Sequence, residues 1–164
     1  MGKASSILAT IILLLPCSGC ITVKYFPFDG DYTVQRVVDG DTFDVDFNLD
    51  GEIDSSDERC RLVGVDTPET GGRAGIQFWG PEAKAYMISI LELRDVMLVF
   101  QTPRRDSFGR LLVRVWMRDG IFLNESLVAD GFARVWRRGS YPERLGLEAV
   151  ESVAKDRGLG LWAE

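Results

Sequence analysis

Three short clusters of Asp, Glu and Arg decide what chemistry this 164-residue chain can do. They are Asp39-Gly-Asp41-Thr42, Arg61-Leu-Val-Gly-Val-Asp66-Thr67-Pro-Glu69, and Phe108-Gly-Arg110. Carboxylates in such numbers can hold a hard divalent cation through oxygen. One more carboxylate can activate water, and guanidinium forks can bind the charged oxygens of a phosphate. That combination suits phosphodiester cleavage. The chain has no histidine, which excludes His-dependent triads, His-ligated zinc and a His general base. Acid and base work falls to Asp, Glu, Lys, Tyr or Cys.

A second set of oxygen donors runs Asp46-Phe-Asn48-Leu-Asp50-Gly51-Glu52-Ile53-Asp54-Ser-Ser-Asp57. Donors at alternate positions, Glu52 through its carbonyl, and Gly51 at the sharp turn give the spacing of an EF-hand calcium loop. Its last position is Asp where that loop usually has Glu, which makes it look more like the dockerin type. The flanks read as strands, so the loop stands in for a hairpin turn between Asp46 and Arg61. An acidic, solvated hairpin tip is the plain alternative.

The elements that must position these residues follow from periodicity. Tyr32 to Phe47 reads as strand, with Phe43, Val45 and Phe47 alternating with Thr42, Asp44 and Asp46. Cys60 to Val65 continues in that style, and Cys60 reads as a small core hydrophobe rather than a reactive thiol. Gly80-Pro81-Glu82 starts a helix with Ala83, Met87, Ile90 and Leu91 as its apolar stripe. Val96 to Phe100 is an apolar run. Leu111 to Trp116 leads through the turn signal Asp119-Gly120 to Ile121–Leu123. Asn124 is placed to cap a short helix ending at Gly131. Pro142-Glu143 begins the last helix, with Ala149, Val150, Val153 and Ala154 as its stripe and Gly158 as its C-cap. The expectation is a mainly β, α+β domain: an OB-like five-stranded barrel with about three helices.

Residues 1–19 read as an export signal: Lys3 supplies positive charge, Ile7 to Leu15 an apolar core, and Cys17-Ser-Gly-Cys20 a small-residue end. Ser18-Gly19-Cys20 resembles the end of a lipobox, which would make Cys20 the lipidated N-terminus of a cell-envelope lipoprotein with residues 20–30 as tether. Plain signal-peptide cleavage and secretion, an uncleaved anchor, and N-myristoylation at Gly2 are the competing readings. With Cys20 as acceptor, Cys60 is left without a disulfide partner. Removing residues 1–19 takes the formal charge from −6 to −7, unfavourable overall for binding a polyanion. Any grip on nucleic acid is then local, through Arg61, Arg104, Arg105, Arg110, Arg134, Arg137 and Arg138.

Residues 31–164, read as one domain, resemble the thermonuclease (staphylococcal nuclease-like) family. Val38 to Thr42, Arg61 to Glu69, Phe108 to Arg110 and Leu159 to Trp162 match its ordered signature of V-D-G-D-T, R-L-x-x-V-D-T-P-E, an aromatic-Gly-Arg step and a late L-x-x-W. The resemblance implies the same OB-like fold. It also implies that Asp41, Asp66 and the carbonyl of Thr67 bind one Ca2+, that Glu69 orients or deprotonates the attacking water, and that Arg61 and Arg110 contact the scissile phosphate. Asp39 would support them from behind.

Two departures bear on substrate. Ser107-Phe108 stands where relatives commonly carry Lys-Tyr. Val135-Trp136-Arg137-Arg138 stands where they often place tyrosines. Phe108, Arg134, Trp136, Arg137 and Arg138 are the weaker substrate-binding candidates; Trp136 can stack on a base and the arginines can hold backbone. For the three cations a solvated face is the alternative. The chain is thus expected to be an exported, monomeric, Ca2+-dependent nuclease acting on DNA and RNA, with no protein partner implied. By resemblance it would cut on the 5′-oxygen side and leave 3′-phosphates. The runner-up is a non-catalytic OB-fold module that binds nucleic acid or calcium at the envelope.

Overall fold

Strands with one apolar face cannot bury it alone, and closing five of them on one another hides that face inside and removes the edges. The computed structural model describes residues 30–163; the segment read as an export signal and Cys20 lie outside the described residues. The elements in chain order are β1 (Gly30–Asp39), β2 (Thr42–Val45), β3 (Arg59–Leu62), β4 (Val65–Asp66), α1 (Gly80–Leu91), β5 (Asp95–Arg105), β6 (Leu111–Met117), α2 (Leu123–Ala129), β7 (Arg134–Val135) and α3 (Arg144–Asp156). Five strands form a closed barrel in the order β1-β2-β3-β6-β5, and β4 and β7 form a separate small sheet. Barrel neighbours are antiparallel except β3 with β6. This is the expected OB-like α+β architecture.

The segment from Tyr32 to Phe47 is not one strand. It turns back at Asp39-Gly40-Asp41, and Asp39 pairs with Thr42 across the turn. Asp39 Oδ1 accepts from Gly40 N at 2.8 Å and from the Thr70 hydroxyl at 3.1 Å, which closes the turn. Gly40 is required there by close approach: a Cβ would come within 2.7 Å of the Thr67 hydroxyl oxygen.

Register then aligns charge with charge. Asp44 pairs with Arg36 on one side and Arg59 on the other. Its fully buried carboxylate accepts from Arg36 Nε and Nη2 at 3.1 and 2.5 Å and from Arg59 Nε at 2.9 Å. An isolated buried carboxylate would be costly, and two guanidinium groups remove that cost. The same ladder sets Thr42 opposite Arg61. Leu62 N donates to the Asp41 carbonyl at 3.0 Å, holding the turn against β3. Phe43, Val45, Cys60, Leu62, Leu98 and Val113 fill the barrel. Cys60 is the core hydrophobe the alternation indicates, and burial pushes its thiol pKa well above the usual range.

The helices cover the barrel flank. α1 buries Ala83, Met87 and Leu91, close to its expected stripe. α3 differs: Ala149 and Val153 are exposed, and the buried line is Leu147, Glu151 and Ala154. Glu151 is the reason. Its carboxylate accepts from Val135 N at 2.8 Å and from Lys155 at 2.9 Å, so the helix rotates a charged residue inward to complete the edge of β7. Asn124 does not cap α2 either. It is fully buried, accepting from Val115 N at 3.0 Å and donating to the Val63 carbonyl at 2.8 Å, and so joins β6 to the chain leaving β3. We expect Asn124→Ala to cost about 2 to 4 kcal/mol of unfolding free energy, because it strands a buried N–H and a buried carbonyl. Urea titration measures this; a loss below about 0.5 kcal/mol, the scale of a neutral surface change, would contradict the assignment.

Candidate active site

The turn between β1 and β2, the chain from β3 into β4, and the β5–β6 hairpin meet at one end of the barrel around a cleft of about 690 Å³. Asp39, Asp41, Arg61, Asp66, Glu69 and Arg110 all line it. Segments up to some seventy residues apart in sequence thus converge, as the expectation required.

Asp41 is buried and its carboxylate accepts from three donors. Thr42 Oγ1 donates to Oδ1 at 3.0 Å, and Thr67 N and Oγ1 both donate to Oδ2 at 3.0 Å. Thr67 therefore holds Asp41 with its amide and hydroxyl. Arg61 lies between the two acids: Nη1 forms an ion pair with Asp41 Oδ2, and Nη2 reaches Asp66 Oδ1 at 3.1 Å. Burial, and then the neighbouring Arg110, pull the Arg61 pKa down to about 10 against the opposing fields of Asp66, Glu69 and Asp106. The group stays protonated at neutral pH.

Glu69 is exposed at the cleft, and its backbone is clamped at both ends. Its N–H donates to Gln77 Oε1 at 3.0 Å, and its carbonyl accepts from Gln77 N at 2.9 Å. The N-terminus of α1 presses on the same carbonyl, where a Cβ on Gly80 would stand 2.4 Å away. Gly80 is thus needed to bring helix and Glu69 together. Gln77 gave no sequence signal, because it lies in a loop with no periodicity.

Arg110 is held by Asp106, which the sequence reading also missed. Asp106 Oδ2 takes Arg110 Nε and Nη2, both at 2.8 Å, while Oδ1 accepts from Phe108 N at 2.9 Å and Arg110 N at 3.0 Å. A signal was there: Asp106-Ser-Phe-Gly109 has Asp first and Gly last, the preference of a type I turn.

The weaker candidates divide. Phe108, Trp136 and Arg138 line the cleft, with Arg110 over Phe108 at 5.3 Å and Arg138 over Trp136 at 5.6 Å. Pairing of β7 with β4, extended by Trp136 N donating to the Gly64 carbonyl at 2.9 Å, carries Trp136 to the rim. Arg134 and Arg137 are not brought there. Arg134 lies over Trp162 at 5.4 Å, and Arg137 Nη2 is bound to the buried Glu151 at 2.5 Å. Arg105 is spent on the Gly109 and Asp57 carbonyls at 2.6 and 3.1 Å, and Arg104 stacks on Phe100 at 3.7 Å outside the cleft.

Known proteins are similar to this chain over most of its length. The family described as staphylococcal nuclease homologue matches residues 59–164. The chain is 35% identical over 136 residues to the thermonuclease of Staphylococcus intermedius, which covers 80% of this chain and 75% of that protein. It is 33% identical over 134 residues to the thermonuclease of Staphylococcus hyicus, again covering 80% and 75%. The SPbeta prophage-derived endonuclease YokF of Bacillus subtilis is 36% identical over 142 residues, 82% of this chain and 44% of that protein.

The chain belongs to the staphylococcal nuclease homologue family. The family match takes in Arg61, Asp66, Glu69 and Arg110, and Asp39 and Asp41 precede it. A family member of this kind implies a hard cation, and the donors here fit one. Asp41 and Asp66 stand together on either side of the Arg61 guanidinium, the ligating atoms they offer are oxygens, and the thiol of Cys60 is locked in the core. Among the described residues no three acids or thiols stand close enough together to hold a metal ion by themselves. A cation here would therefore rest on two carboxylates, with a backbone oxygen and water completing its shell.

The loop from Asp46 to Asp57 lies apart from the cleft. Asp46 accepts from the N–H groups of Leu49, Asp50 and Gly51 at 2.6, 3.3 and 2.9 Å. Asn48 and Asp50 each cap the amide two residues on, at 3.0 and 2.8 Å, and Leu49 and Gly51 take φ of 61° and 85°. Asp54 caps Ser56 at 2.9 Å, and Asp57 pairs with Arg105 at 3.2 Å. Glu52 has an exposed side chain. Glu58, outside the spacing argument, is buried and joins the two ends by accepting from Phe47 N and Asp54 N at 2.9 and 2.8 Å. As a whole the loop spans β2 to β3 in place of a tight turn, as its flanks indicated.

Proposed function

We propose that this chain is an exported, Ca2+-dependent nuclease that hydrolyses the phosphodiester bonds of DNA and RNA on the 5′-oxygen side. The observation that supports this reading best is the convergence of Asp41, Asp66, Glu69, Arg61 and Arg110 on one cleft in a member of the nuclease family. Asp41, Asp66 and the Thr67 carbonyl would hold the ion. When bound, Ca2+ would stabilise negative charge on the phosphate and favour ionisation of a coordinated water. Glu69, exposed and clamped by Gln77, would orient that water or take its proton. Arg61 and Arg110 would neutralise charge that grows as phosphorus becomes five-coordinate, with preorganised donors of this kind contributing roughly 2 to 4 kcal/mol each. Asp39 would keep the Asp41 turn closed. Phe108, Trp136 and Arg138 would contact bases and backbone without reading sequence.

Purified residues 21–164 are expected to cleave single-stranded DNA and RNA with millimolar-scale Ca2+ and to stop on chelation. Glu69→Gln, Arg61→Ala and Arg110→Ala should each lower kcat on the order of a hundredfold or more with folding retained. Oligonucleotide binding without turnover across neutral to alkaline pH would replace this reading with a non-catalytic OB-fold binding module.

The loop carrying Asp46, Asn48, Asp50, Glu52, Asp54 and Asp57 is proposed to take a second, structural Ca2+. Calorimetric titration of the Asp41→Ala/Asp66→Ala variant should show residual Ca2+ binding that Asp46→Ala/Asp50→Ala removes. Absence of residual binding would make the loop an acidic turn. Export would end in lipidation of Cys20 and retention at the cell envelope. Cys20→Ser should then release the domain from membranes, and an intact mass with an unmodified Cys20 would refute the anchor.

A further inference from the structure

We infer that Asp106 is a positioning residue that sets the direction of the Arg110 guanidinium in the cleft; this rests on the nuclease reading of that cleft. The two oxygens of Asp106 have separate tasks. Oδ1 builds the hairpin tip by accepting from Phe108 N at 2.9 Å and Arg110 N at 3.0 Å. Oδ2 takes the Nε and Nη2 edge of Arg110, both at 2.8 Å. An arginine on a hairpin tip has four free side-chain torsions, and its charge alone fixes none of them. A carboxylate on the Nε edge fixes the plane of the guanidinium, and among the described residues Nη1 keeps no partner. That free edge is the one left for a phosphate oxygen.

The pair is also partly shielded, with Arg110 and Asp106 side chains 28% and 18% exposed, so the contact is screened less than a surface ion pair. Asp106 lines the cleft next to Arg110 and Phe108. Electrostatics alone would cast it as a nuisance, a negative charge beside a phosphate site. Removing it would then tighten substrate binding. As a positioning residue it has the opposite signature: its loss lowers kcat while KM changes little, because a misdirected guanidinium forfeits a contact strongest in the transition state.

Asp106→Asn separates the two tasks. The amide oxygen can still accept from Phe108 N and Arg110 N, so the hairpin tip is kept. The amide nitrogen replaces Oδ2 and turns a donor toward two donors, so the guanidinium is released. We expect kcat on single-stranded DNA with Ca2+ to fall on the order of tenfold to a hundredfold, with KM within about twofold. In an Arg110→Ala background the same change should cost almost nothing, since there is no guanidinium left to direct. NMR of the arginine Nε–H groups should show the Arg110 proton protected from exchange in the wild type and exposed in Asp106→Asn. Wild-type kcat in Asp106→Asn would overturn the proposal. So would an equal loss in both backgrounds, which is how a folding defect would behave, or a lowered KM with unchanged kcat. A wild type with a protected Nε–H but no turnover would sink the nuclease reading and leave the hold on Arg110 standing; an unprotected Nε–H would sink the proposal itself.

Discussion

Asp41 is a carboxylate buried at the mouth of a barrel, and such a group is stable there only if its lone pairs are filled and its charge is answered. Much of the surrounding structure follows from that condition. Thr67 must pass close enough to give both its N–H and its hydroxyl, so residue 40 must lack a Cβ. The turn must be held on β3, which Leu62 N does through the Asp41 carbonyl. Arg61, one strand over in register with Thr42, must turn inward to the acid rather than out to solvent. The short words Asp39-Gly-Asp-Thr and Arg61 through Thr67 are two halves of one polar network, which is why they occur together.

The same logic governs charge across the molecule. The chain carries a formal charge of −6, yet most of its cations near the barrel are already matched: Arg36 and Arg59 by Asp44, Arg61 by Asp41 and Asp66, Arg110 by Asp106, and Arg137 by Glu151. A phosphate entering the cleft does not meet bare guanidinium groups. Its gain at Arg61 is the difference between two ionic hydrogen bonds, smaller than the whole of either, and at Arg110 it meets the one edge left by a guanidinium whose charge Asp106 already answers. Specific geometry, rather than bulk attraction, must then carry recognition. This suits a protein whose overall charge repels its proposed substrate at long range.

What the sequence made legible was whatever depends on local period and turn chemistry. The barrel strands, the start and stripe of α1 and the role of Cys60 follow from alternation, Pro placement and the i, i+3, i+4 pattern. The site residues that converge are those carried by ordered motifs. The failures share a different cause. Asn124 looks like a cap, and Glu151, being polar, falls outside the apolar stripe expected of the last helix. Each is buried to satisfy backbone groups of a distant strand, and no local signal announces that. β4 and β7 are two residues each, too short for any period, and they exist because each supplies the other's hydrogen bonds. Arg134 and Arg137 read as a basic patch with Arg138; that pairing and α3 turn the first two away.

The rim of the cleft narrows what the substrate can be. Phe108 is 83% exposed with Arg110 beside its ring, and Trp136 is 41% exposed with Arg138 beside its own. Phe108 has no hydrogen-bonding group and Trp136 has one donor, so neither reads a base edge as a placed amide with donor and acceptor would, and a π-face accepts any base. Rings can be reached in this manner by bases that are already unstacked, whereas a duplex presents edges and phosphates. A cleft of about 690 Å³, within the range that encloses a small ligand, can take the reacting phosphate and its nearest neighbours and leaves the remaining strand on the surface. On the proposed nuclease reading, exposed aromatic faces, few unpaired cations and a short cleft fit one substrate form better than others: a flexible single strand, gripped at one phosphate and tolerated elsewhere.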